Sequence, residues 1–351
     1  MKRVTAFSPG HVTGLFYMRD LEDDPLYCGS LGAGFSIVKG AQTTVSLSGL
    51  SHGRSDISIN DLKGLDTPVS LKIMELFFSK TGIAGQGLKV AHKIETPQGA
   101  GFGSSGAGAL SLVFALNRLY GDPLSALQAS QIAHSAEVLC KTGLGTVMGE
   151  TLGGVKILVK PGAPGIGATV SIPYPEGLYA MFVVYGPLST REALSDPELR
   201  KKVTESGKKY HSLIKKSPDF ENFLKYSREF AESTGIIPKS VRMIMDQLDK
   251  HKINCSMLMF GEGTFSIFPK SDVPVIRKIA EGIIEDLKIE NLECEKGKAE
   301  ECDPQGKTGA DVEFGASIGI GGSAPGGKIN RKPYLFFSNI AKGGVSIVSE
   351  D

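Results

Sequence analysis

The chain reads as a mixed helix-and-strand protein, on three observations. Short apolar–polar alternations separated by glycine clusters fill its first third. Residues 104–139 carry helical spacing, and a charged helical stretch covers 196–250. Strand–turn–strand–helix patterning then follows over 256–287. With 351 residues, 41% apolar and 22% charged, the chain suits one large domain or two moderate ones, each with a buried core.

In chain order, Val4 to Phe7, Phe35 to Val38 and Thr43 to Leu47 read as strands, with Gly29 to Gly34 as a turn or a tight backbone approach between two of them. Leu71 to Phe78 has helical spacing, and Leu88 to Ile94 is a strand ending at Glu95-Thr96-Pro97. A glycine loop, Gln98 to Gly103, leads into a helix over Ser104 to Tyr120. Pro123 to Leu139 is a second helix, with Asp122 or Ser125 as cap. Gly153-Gly154 turns into a strand over Val155 to Val159, and Pro161 to Gly167 leads towards a second lobe. There Leu178 to Val184 is a strand, and Glu221 to Ser233 and Val241 to His251 are helices. Ser256 to Phe260 and Thr264 to Phe268 are strands around a glycine turn, Val275 to Leu287 a helix, and Asn291 to Glu295 a short strand. Tyr334 to Phe337 and Val345 to Val348 read as extra strands.

Composition excludes several functions. With 39 basic and 38 acidic side chains the net charge is +1, so no bulk field draws the chain to nucleic acid or a membrane. The Lys201-Lys202 and Lys208-Lys209 pairs read as a solvated helix face. No apolar run reaches the ~20 residues of a membrane helix. The opening residues enter strand-like sequence directly, so no signal peptide is expected. Five scattered cysteines without CxxC spacing argue against a zinc site or a disulfide framework and predict reduced thiols in a cytoplasmic protein.

The chemistry concentrates in Pro97-Gln98-Gly99-Ala100-Gly101-Phe102-Gly103-Ser104-Ser105-Gly106. Glycines let successive amides turn towards an anion, and the following helix aims its positive end at the same point. The plainer alternative is a glycine turn capped by Ser104. No Gly-Lys-Ser/Thr follows, so this is not a Walker loop, and the spacing is not that of a dinucleotide fingerprint.

This segment resembles the phosphate loop of the GHMP kinase superfamily. Ala6 to Phe16, with Pro9-Gly10-His11, and Gly29-Ser30-Leu31-Gly32-Ala33-Gly34 look like the archaeal pantoate kinase group within it. So do Ala133-His134-Ser135-Ala136-Glu137, Thr142-Gly143-Leu144-Gly145, Phe230 to Ile236 and Gly261-Glu262-Gly263-Thr264. The resemblance covers roughly residues 4–310 and implies an ATP-dependent small-molecule kinase using Mg²⁺. The implied fold is a two-lobed α+β GHMP kinase fold. Its N-terminal lobe (1–165) is like ribosomal protein S5 domain 2, and its C-terminal lobe (166–313) is ferredoxin-like. Residues 314–351 fall outside it as a glycine-rich tail, expected as a flexible or added edge element. Their Ile318-Gly319-Ile320-Gly321-Gly322-Ser323 run superficially looks like another phosphate-binding loop.

Carried over by position, Pro97, Gly99, Gly101, Gly103, Ser104, Ser105 and Gly106 would cradle ATP, with Gly261 and Gly263 supporting from the second lobe. Ser105 and Glu137 would handle Mg²⁺ and the phosphates, as metal and catalytic residues. His11, Ser30 and His134 would face the substrate. Two positions depart from the group. Its proton-accepting Asp corresponds here to Thr146, and its carboxylate-holding Arg to Leu158. Glu150 or water could stand in for the base, and Lys141, Lys156, Lys160 and Arg191 are candidate cations for the substrate.

Neutral residues at both positions predict an altered substrate that is still a primary alcohol on a small branched hydroxy acid. The reading leans to mevalonate 3-phosphate, phosphorylated at its 5-hydroxyl in an archaeal isoprenoid route, because an uncharged Thr146 tolerates a second anionic group. The alternative is pantoate, which would place the chain in coenzyme A synthesis. A nucleotide-binding regulator without catalysis is the alternative of another class. Expected partners are ATP and a small hydroxy acid, with homodimerisation open, and neither nucleic acid nor membrane.

Overall fold

The structure, a computed structural model, describes residues 2–19, 22–47, 55–188, 197–296 and 333–350. Arg191 and the Ile318–Ser323 run lie outside the described residues.

Two long strands dominate the first lobe. β1 (Arg3–Arg19) and β2 (Gly29–Leu47) pair antiparallel along their whole length, with bulges near Pro9 and Thr13. The sequence patterning predicts only the start of β1 and the middle and end of β2. Of the two readings of Gly29 to Gly34, a turn or a tight backbone approach, the second holds, and the segment is strand: a Cβ on Gly34 would sit 2.5 Å from His11 Nε2, and one on Gly32 would strike the Leu15 carbonyl. The glycines there serve close backbone approach, not reversal.

β5 (Leu88–Ile94) pairs with the outer half of β2, and β3 (Asp56–Ile59) runs parallel beyond it with β4 (Leu62–Lys63) at the edge. β6 (Val155–Lys160) pairs with the inner half of β2, and β7 (Ala168–Ser171) pairs with β6. β7 therefore belongs to the first sheet although it follows the expected lobe boundary at 165.

Helices α1 (Pro68–Thr81), α2 (Ser104–Leu119) and α3 (Ala126–Cys140) cover this sheet, their apolar faces closing a core around Phe77, Leu110 and Leu116. α3 begins with the Ser125 capping box, Ser125 and Gln128 satisfying each other's backbone amides. α4 (Thr146–Leu152) is a short helix the sequence reading does not contain; its seven residues are too few for a periodic signal.

The second lobe is a four-stranded sheet, in order β11–β8–β10–β9, packed with helices. β8 is Leu178–Pro187, β9 is Ser256–Met257 and β10 is Gly261–Pro269. The expected glycine turn over 261–263 is strand; the reversal is at Leu258–Phe260, where Phe260 takes a φ of 69°. The helices are α5 (Pro197–Lys216), α6 (Phe220–Thr234), α7 (Lys239–Lys250) and α8 (Val273–Lys296). Asn291 to Glu295, expected as a strand, lies within α8.

The end of the chain, expected as an edge addition, joins both sheets. β11 (Tyr334–Asn339) pairs with β8 and β12 (Ser346–Glu350) with β1, each at a sheet edge. Between them, Ala341 N–H donates to the Ser36 carbonyl at 2.8 Å, and Gly154 N–H donates to the Ala341 carbonyl at 2.6 Å.

One apolar core joins the lobes. Phe35 of β2 faces Phe182, Phe223 and Phe265 of the second lobe, and Phe102 packs edge-on against Phe182 at 5.1 Å. Phe102 is thus the apolar anchor of the glycine loop. The fold is two-lobed and α+β, as the family resemblance implies.

Candidate active site

A cavity of about 780 Å³ opens between the lobes. At one end lies the loop between β5 and α2. Gly99, Gly101 and Gly103 adopt φ of 70°, 86° and 66°, the left-handed region that a side chain resists. At Gly101 space is also short, since a Cβ there would lie 2.5 Å from the Met259 carbonyl. Gly261 presses on Ala100 from the same reversal, so the second lobe props the loop at its middle. From the other side His11 N–H donates to the Phe102 carbonyl at 2.9 Å.

Gly103 is the N-cap of α2 and no side chain caps the helix, so the first-turn amides are left for an anion. Ser104 does not cap either: its hydroxyl is buried against Thr96 Oγ1 at 3.1 Å. The Ser105 hydroxyl donates to Glu137 Oε1, and Thr142 Oγ1 donates to the same oxygen at 2.7 Å. Glu137 is buried, which raises its pKa; the two hydroxyls partly offset that.

Behind the loop stands Glu150, wholly buried, with no hydrogen-bond partner on either oxygen. It is wedged under Gly103 and Gly106, and both Glu150 Oε2 and Thr146 Oγ1 crowd Gly106, 2.5 and 3.0 Å from where its Cβ would be. Burial, with the nearby Glu137 charge second, holds the Glu150 carboxyl protonated well above the usual carboxylate range. His11 is buried too, its pKa lowered to about 4 by desolvation, so the ring is neutral at pH 7. Its Nδ1 lies 3.4 Å from the Ser36 hydroxyl, which donates to the Gly149 carbonyl.

At the other end Ser30 and Leu158 meet beside Gly145, while Thr146, the next residue, turns its hydroxyl back towards Gly106 and Gly143. A Cβ on Gly145 would strike the Ser30 hydroxyl and come within 3.2 Å of Leu158 Cδ2. Ser30 is paired with Met18 across the ribbon, and both line the cavity.

The structure therefore brings together His11, Ser30, Gly99, Gly101, Gly103, Ser104, Ser105, Glu137, Thr146 and Leu158 around one cavity. Pro97, Gly106, Gly261 and Gly263 do not line it; Gly261 acts from behind the loop, and Gly263 packs on the Val183 carbonyl. His134, expected to face substrate, does not. It is buried, and its Nε2 lies 3.1 Å from the Pro25 carbonyl and 3.0 Å from that of Cys28, so it braces the loop before β2.

Lys141 lines the cavity, whereas Lys156 reaches outward to the Ser171 hydroxyl at 2.7 Å. Arg200, on α5, also lines it. Sequence reasoning missed Arg200 because its helical stretch reads as a solvated surface; spacing four residues ahead of Thr204 and eight ahead of Lys208 was the available signal.

Among the described residues, no helix is long and apolar enough to cross a membrane, and no three metal-ligating His, Cys, Asp or Glu side chains cluster. Cys28, Cys140 and Cys255 are free thiols.

Comparison with known proteins agrees with this geometry. Residues 69–154 match the GHMP kinases N terminal domain. Pantoate kinase of Thermococcus kodakarensis is 35% identical over 75% of this chain and 87% of its own length. Pantoate kinase of Methanospirillum hungatei is 33% identical over 80% and 92%. A solved structure, a phosphotransferase related to the CoA biosynthesis pathway, superposes with a TM-score of 0.76 at 26% identity over 99% of both chains. Relatives this similar over this share of the chain show the family: the chain belongs to the GHMP kinases, alongside the archaeal pantoate kinases, and is an ATP-dependent phosphotransferase acting on a hydroxyl group.

Proposed function

We propose that this kinase phosphorylates the primary hydroxyl of a small branched hydroxy acid, and that pantoate is the first candidate. One observation carries that choice: the relatives, 32–35% identical over 75–80% of the chain, are pantoate kinases. They favour pantoate over the mevalonate 3-phosphate to which the two neutral positions lean.

The loop amides and the uncapped start of α2 receive the phosphates of ATP, with Phe102 holding the loop to the core. The buried Glu137 carboxylate and the Ser105 hydroxyl suit a hard cation such as Mg²⁺, which takes oxygen ligands from one or two side chains and keeps waters. When bound, that ion neutralises charge on the transferring phosphoryl group. Ser105 is then released from Glu137 to orient phosphate or metal. The acceptor lies between this pair and the Ser30–Leu158 end, its hydroxyl towards Thr146. Glu150, buried behind the loop and outside the cavity lining, is not poised as a base. The alcohol proton leaves through water, which a loose phosphoryl transition state permits.

A second reading keeps mevalonate 3-phosphate, on a specific observation. Thr146 and Leu158 both line the cavity beside Ser30, so its acceptor end lacks the acid–base pair expected for pantoate. Coupled ATP turnover of the purified protein with each acid tests both. Turnover of pantoate alone supports the first reading, turnover of the phosphorylated acid alone the second, and turnover of neither refutes both.

A further inference from the structure

A second cavity, of about 380 Å³, adjoins the first and shares Met18 and Arg200 with it. Its walls carry three cations, Arg19, Arg200 and Lys208, against one acid, Glu22, with Tyr27 and Thr204 adding hydroxyls. Arg200, Thr204 and Lys208 are spaced four apart and so lie on one face of α5. That face is held firmly. Gly207 lets α5 press directly on the Phe16 carbonyl of β1, and His211 Nε2 lies 2.8 Å from the Leu158 carbonyl. The opposite wall is braced as well: His134 holds the carbonyls of Pro25 and Cys28, and Ala163 N–H donates to the Leu26 carbonyl at 2.8 Å. The annex begins one residue along β1 from Met18, the partner of Ser30, and so opens from the acceptor end of the cleft.

We propose that this annex is an anion subsite, which takes the oxyanion at the non-reacting end of the acceptor. The inference rests on the kinase reading above and deepens it. Among the described residues, an arginine and a lysine on a rigid helix face, opposite a further arginine, outweigh Glu22 and give the annex a net positive lining that concentrates and orients a carboxylate or phosphate. With Leu158 apolar, the cation that fixes the acceptor sits on α5 instead of β6. Lys208, read from sequence as solvated surface, is part of that site.

The test is the double variant Arg19→Met/Lys208→Met, which removes both charges but keeps unbranched side chains, beside Lys208→Arg. The acceptor KM of the double variant should rise about ten- to hundredfold, with the KM for ATP unmoved and Lys208→Arg near wild type. The arm in which it rises, the acid with a carboxylate alone or the one that also carries a phosphate, identifies the oxyanion held. An acceptor KM within about twofold of wild type overturns the proposal. If wild type turns over neither acid, the kinase substrate reading falls by itself. Calorimetric titration with inorganic phosphate then decides the annex: one phosphate site lost in the double variant supports it, and equal binding overturns it.

Discussion

The two ends of the cleft are built on different principles. The phosphate end is made of backbone: consecutive residues 99–105 fold over the start of α2 and are held by Phe102, Gly261 and the His11 amide. The opposite end, which we propose takes the acceptor, is made of side chains from separate elements, Met18 of β1, Ser30 of β2, Leu158 of β6 and Arg200 of α5. A backbone site tolerates few changes because its amides and torsions are the site. A side-chain site changes its ligand one residue at a time. On that difference, a chain one-third identical to pantoate kinases can hold a glycine loop and still vary its acceptor end.

The comparison breaks first at the phosphate end. Glu137→Gln keeps the shape but removes the charge, and kcat should fall about 10²–10³-fold with the acceptor KM little changed. Steady-state kinetics at saturating ATP check this, and an equal rise in acceptor KM would move Glu137 to the acceptor side. Gly101→Ala is next. A left-handed alanine costs about 1–2 kcal/mol, and the Met259 carbonyl leaves its methyl no room, so the KM for ATP should rise about tenfold.

At the acceptor end, the double change Thr146→Asp/Leu158→Arg should shift the ratio of kcat/KM towards pantoate, against the phosphorylated acid, by about tenfold while the KM for ATP stays put. A ratio that does not move would place acceptor choice elsewhere in the cavity.

The smallest effect concerns stability. Burial keeps the Glu150 carboxyl protonated in the fold to higher pH than in the unfolded chain, so its folded pKa lies above its unfolded one. Its contribution is therefore full below the usual carboxylate value near 4.5 and is lost as pH rises towards the raised one. Glu150→Gln removes that loss, and the Tm of the variant should gain on wild type as pH rises above 4.5. Parallel melting curves would show the idea wrong.

Legibility in the sequence follows the same division. β5, α1, α2 and α3 have periodic patterns, and the glycine loop is contiguous, so all were readable. The β1–β2 ribbon was only half readable, because its glycines fit a turn and a close backbone approach equally in sequence, and only the packing against Leu15 and His11 chooses the second. His134 has the position of a substrate residue but spends its ring nitrogen on two loop carbonyls.

The sequence by itself determined the glycine loop and the helix after it, because those depend on residue type at short spacing, while Ser105 and Glu137 stood out only through the family resemblance. Only the tertiary structure decided that those two side chains meet, which cations line the cavity, that Glu150 stands buried without a partner, and that the last strands join both sheets. Those are matters of distance between elements far apart in the chain, fixed by packing across the shared aromatic core.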